Sequence, residues 1–108
     1  MSIHDTQRRS LLAAHSVALY VQQVGPIPPS TVSVQCHDFA PDSPSVDVNF
    51  FKNPEGVRLL AAALGAKVTE GPHSATSSRL YTEALADVSG IPVTIWSLAD
   101  APETGGAL

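Results

Sequence analysis

The chain has 108 residues, with six Lys and Arg against ten Asp and Glu for a formal net charge of −4; apolar residues make up 44% and charged ones 15%. This length holds one domain, which can bury roughly two thirds of its unfolded surface without staples. Six scattered basic residues, of which only Arg8 and Arg9 adjoin, exclude the phosphate-neutralising patch that nucleic acid requires, and no apolar run is long enough to span a membrane.

In chain order, residues 5–24 form the first predicted helix. Asp5 caps it, and Leu11, Ala14, Val17, Ala18, Val21 and Val24 make one apolar stripe, which Leu12 and Leu19 widen. Gly25 ends the helix and Pro26-Ile27-Pro28-Pro29 is a stiff extended connector. Residues 31–37 alternate as a strand, with Val32, Val34 and Cys36 on one face. A proline-bearing loop, 39–44, joins it to the clearest stretch of the chain, a strand in which Val46, Val48 and Phe50 alternate with Asp47 and Asn49. The short link between these strands predicts antiparallel pairing.

A second helix follows at once. Asn53 caps it, Pro54 suits the first helical position, Glu55 faces the positive end of the dipole, and Gly65 stops it. Residues 66–70 make a short strand and 71–78 a polar loop, expected to be the most mobile of the domain. Residues 79–88 read as strand, with helix the alternative because of Leu80, Ala84, Leu85 and Ala86. Ile91 to Trp96 is the last strand, hinged at Gly90, and Pro92 places it at a sheet edge or marks its start. Residues 1–100 therefore form one domain and 101–108 a flexible tail.

The order α-β-β-α-β-β-β predicts an α+β fold, a single antiparallel sheet of about four or five strands with two helices on one face. The other face would carry Asp47, Asn49, Phe51, Thr94 and Trp96, polar residues with two aromatics.

Signatures of chemistry are weak. Cys36-His37-Asp38 joins three catalytic residue types, but neighbours on a strand point to opposite faces, so His37 does not activate Cys36. His37, Asp38, Asp42 and His73 lack metal-ligand spacing, and no metal or other cofactor is expected. Glu83 and Asp87 share one face of a strand and read as solvating carboxylates. Phosphate-binding glycine loops are absent. The lone cysteine makes no internal disulfide, and Met1-Ser2-Ile3-His4-Asp5 lacks a signal-peptide layout, so a cytoplasmic location is expected.

In its Ala, Val, Pro and Gly richness the chain is similar to accessory proteins of actinobacteria or their phages, a likeness of composition that transfers no site. The leading expectation is a non-enzymatic protein–protein interaction or regulatory module, a homodimer, with no nucleic-acid or membrane partner. Its contact would be the open sheet face, through Phe51, Trp96, Asn49 and Thr94, or an edge strand such as that of Pro92. The alternative is a small-ligand protein or simple enzyme with a pocket between sheet and helices, lined by Tyr20, Tyr81, His73 and His37.

Overall fold

The computed structural model describes residues 2–72 and 79–100. Two helices, α1 (Ile3–Val24) and α2 (Pro54–Leu64), and five strands, β1 (Thr31–Gln35), β2 (Ser45–Asn49), β3 (Val68–Pro72), β4 (Arg79–Val88) and β5 (Ile91–Asp100), follow one another as α-β-β-α-β-β-β. The architecture is α+β, with one five-stranded sheet in the order β1-β2-β5-β4-β3.

α1 starts two residues before Asp5: the Ser2 side chain is the cap and accepts the Asp5 N–H at 3.1 Å. Ala14, Val17, Ala18 and Val21 are buried. Leu12 and Leu19 do not widen that stripe. They lie about seven residues apart on the far side of the helix at 3.6 residues per turn and are 63% and 58% exposed.

β1 and β2 pair antiparallel, Val32 opposite Val48 and Val34 opposite Val46, as the short link between them predicts. The sheet as a whole is mixed, which corrects the expectation of a purely antiparallel one. β2 and β5 run parallel, Val48 opposite Ile95. The reason is the path between them: α2 carries the chain across the sheet, and the antiparallel run β3-β4-β5 then brings β5 back beside β2. β5 is thus a central strand, not an edge. Pro92 still sits at its start, one residue before pairing with β2 begins at Val93, so its missing N–H leaves that ladder intact. β5 also runs four residues beyond Trp96, to Asp100.

Val46, Val48, Phe50, Val93 and Ile95 from the central strands pack with Val57, Leu60 and Ala61 of α2 and the buried stripe of α1. Each large side chain fully removed from water contributes roughly 1.5–3 kcal/mol. The end of this layer is polar. Ser97 is fully buried, and its hydroxyl accepts the Asn53 N–H at 2.9 Å; the buried Thr82 hydroxyl donates to Glu70 at 2.7 Å. Asn53 in turn accepts the Gly56 N–H, and Gly65 takes φ +70°, so α2 begins and ends where its local signals put it.

Candidate partner-binding face

Both helices pack on the side of Val46, Val48, Val93 and Ile95, which leaves the other side of the sheet uncovered by either. Because side chains alternate along a strand, that side collects Asp47 and Asn49 of β2, Thr94, Trp96 and Leu98 of β5, and Tyr81, Glu83 and Leu85 of β4. Trp96 is at the centre. Asn49 is its register partner on one side and Glu83 on the other.

Hydrogen bonds fix these groups. The Trp96 indole Nε1–H donates to Asp47 Oδ2 at 2.9 Å, and the Tyr81 hydroxyl donates to Glu83 Oε2 at 2.8 Å. The Asn49 amide donates to the Trp96 carbonyl at 3.4 Å. The Tyr81 and Trp96 rings stack with centroids 6.3 Å apart and planes inclined by 29°. Burial, then the hydrogen bond to the Glu83 carboxylate, then the charges of Glu83 and Asp47, push the Tyr81 phenol from 10.0 up to about 12. Tyr81 is therefore a neutral donor at any ordinary pH. Asp47 and Glu83 stand two strands apart, about 10 Å by strand spacing, too far for a proton-sharing pair.

Of the five residues expected on this face, Asp47, Asn49, Thr94 and Trp96 are brought together. Phe51 is not on the strand. It lies in the turn after β2, 68% exposed, with its N–H donating to the Ser30 hydroxyl at 2.8 Å and the Lys52 ammonium 5.6 Å from its ring centroid. Phe50, beside it, is buried against α2.

Of the residues expected to line a pocket between sheet and helices, the described ones, Tyr20, Tyr81 and His37, do not converge. Tyr81 belongs to the open face. Tyr20 borders a groove of about 600 Å³ between α1 and the β4–β5 turn, with Ser16, Val17, Val88, Ser89 and Ile91. His37 lies beyond the end of β1 and stacks on Phe39, centroids 4.9 Å apart. His73 and most of the 71–78 loop lie outside the described residues, as does the 101–108 segment. Among the described residues, no three His, Cys, Asp or Glu side chains gather closely enough to hold a metal ion, and no helix is long and apolar enough to cross a membrane.

Tyr81, Glu83, Leu85 and Leu98 are the members of the face that sequence reasoning missed, and a signal for them exists. The sequence marks them by Ser89-Gly90, a pair suited to a two-residue hairpin turn, and both residues take positive φ, 56° and 83°. Counting outward from that turn places Val88 opposite Ile91, hence Glu83 opposite Trp96 and Tyr81 opposite Leu98. Compared with known protein families, curated proteins and solved structures, the chain matches none of them.

Proposed function

We propose that this chain is a non-enzymatic protein–protein interaction module whose open sheet face, centred on Trp96, engages a protein partner. The observation that carries this reading is the built character of the face: Trp96 and Tyr81 are part-exposed, stacked, and each locked by a carboxylate. Aromatic side chains held in one rotamer lose little entropy on binding, which is why they anchor interfaces. The spread of six basic residues favours a protein over a nucleic acid as partner.

The test is site-specific photo-crosslinking in the host cell. A photoreactive amino acid at Leu85, which is 64% exposed on this face, is expected to give a discrete adduct with another protein; the same residue at Ala63 on α2 is not. No adduct at Leu85, or equal adducts at both positions, would reject the reading.

The homodimer draws its support from another surface. Leu12, Ser16, Leu19 and Gln23 line the outer side of α1, a seam with two exposed leucines that a second copy could cover and that runs at its N-terminal end into Asp5, Arg8 and Arg9.

A further inference from the structure

Resting on the reading of the open face as a binding surface, we infer that its partner is a basic protein segment that lays an arginine side chain over Trp96 and Tyr81, between Asp47 and Glu83. Asp5, Glu55, Glu70 and Asp100 each lie within 4.0 Å of an arginine or lysine: Arg8, Arg58 for both glutamates, and Lys52. Among the described residues, Asp38, Asp42, Asp47, Glu83 and Asp87 have no such cation, and of these Asp47 and Glu83 flank the Trp96–Tyr81 pair. Their partners are the Trp96 N–H and the Tyr81 O–H. These neutral donors leave the charge of each carboxylate in place and use only one of its roughly four acceptor positions.

Two un-neutralised carboxylates thus flank an aromatic pair on an open surface. An arginine complements that arrangement in two ways at once. Its planar guanidinium stacks on an indole face, the strongest of the side-chain π surfaces for a cation, and its fork of N–H donors reaches carboxylate oxygens alongside. Arg79 shares this side of β4, but it is opposite Asp100 in register and four residues from Glu83, about 13 Å along the strand by the usual rise. Arg79 therefore does not reach the centre of the face, where Asp47 and Glu83 stand.

The same charges argue against two other occupants. A second copy docking face to face about a two-fold axis would bring Asp47 and Glu83 against acidic copies of themselves. A nucleic-acid backbone would be repelled outright. The complementary occupant is a cationic side chain.

The chain contains one tryptophan, so its fluorescence and its indole N–H resonance report on this face alone. The probe is a Gly/Ser peptide carrying several arginines, compared with the same peptide bearing citrulline or glutamate. Saturable quenching and a shifted indole resonance are expected with the arginine peptide, weakening as salt is raised, and no response with glutamate. Asp47→Asn and Glu83→Gln keep an acceptor for the Trp96 and Tyr81 donors, and their circular dichroism should match the parent; each is expected to weaken arginine-peptide binding about tenfold. Equal binding of the citrulline peptide, or no Trp96 response to the arginine peptide, overturns the inference. A partner cross-linked through Leu85 whose contact segment lacks basic residues overturns it too, while leaving the binding-surface reading intact. No adduct and no peptide response together reject both.

Discussion

Tyr81 keeps its proton because partial burial, the hydrogen bond it donates to Glu83, and the nearby charges of Glu83 and Asp47 all disfavour a phenolate. The folded-state pKa, about 12, is above the unfolded value of 10.0, so between these values the unfolded chain sheds a proton that the native one retains. The stabilising contribution is therefore complete below pH 10 and is lost as pH rises through about 12. With Tyr20 replaced by Phe, Tyr81 is the remaining tyrosine of two, and its tyrosinate absorbance can be followed alone. Glu83→Gln removes the hydrogen-bonded charge and is expected to lower the titration midpoint, though burial, the largest cause, should keep it above 10.0. An unchanged midpoint in that variant would mean that Glu83 does not hold the phenol. Among single residues, Trp96, Thr94 and Asn49 were legible as face members because alternation on a strand is a local pattern. Phe51 was not, because the strand stops at Asn49 and the chain turns before Phe51 can take its place on the face.

At the scale of elements, the join between β2 and α2 depends on one missing side chain. Gly56 sits in the first turn of α2, and a Cβ there would lie 2.2 Å from Phe50 Cδ1 and 2.7 Å from Cε1. Gly56→Ala raises helix propensity by about 1 kcal/mol. Overpacking a rigid, buried ring costs about 1–3 kcal/mol, and the contact is close enough for this cost to prevail. The urea midpoint of Gly56→Ala is expected to fall, and in a Phe50→Leu background the same change should cost less or stabilise; additivity of the two would show that ring and helix are not coupled. The ends of α2 were legible because caps and stops act over a few residues: Asn53, Pro54 and Gly65 all behave as read. The antiparallel β1–β2 pair was legible for the same reason, since its strands are close in sequence. The parallel pairing of β2 with β5 was not, because α2, β3 and β4 lie between them and no local pattern states where a chain returns.

The molecule as a whole presents two surfaces of different chemistry, one on each side of the fold. The sheet face is gathered from β2, β5 and β4 and is acidic at its centre; the outer side of α1 holds the exposed Leu12 and Leu19, with Asp5, Arg8 and Arg9 at its N-terminal end. Amphipathic spacing revealed that α1 has a buried stripe, yet it assigned these two leucines to it, since hydrophobicity alone does not distinguish a core contact from an interface. Their exposure separates the two, and it makes the homodimer a specific prediction. Pairing through the α1 seam is apolar, so it should survive high salt, whereas arginine-peptide binding on the sheet face should not. Sedimentation of the parent is expected to give twice the 11.3 kDa chain mass, at low and at high salt alike. Leu12→Lys with Leu19→Lys should give a folded monomer, because both side chains already lie in solvent in the single chain. That monomer should still bind the arginine peptide on the opposite surface. A parent that remains monomeric at the highest soluble concentration, or a double variant that still dimerises, would remove the seam as the self-association surface and leave the sheet face as the sole proposed contact.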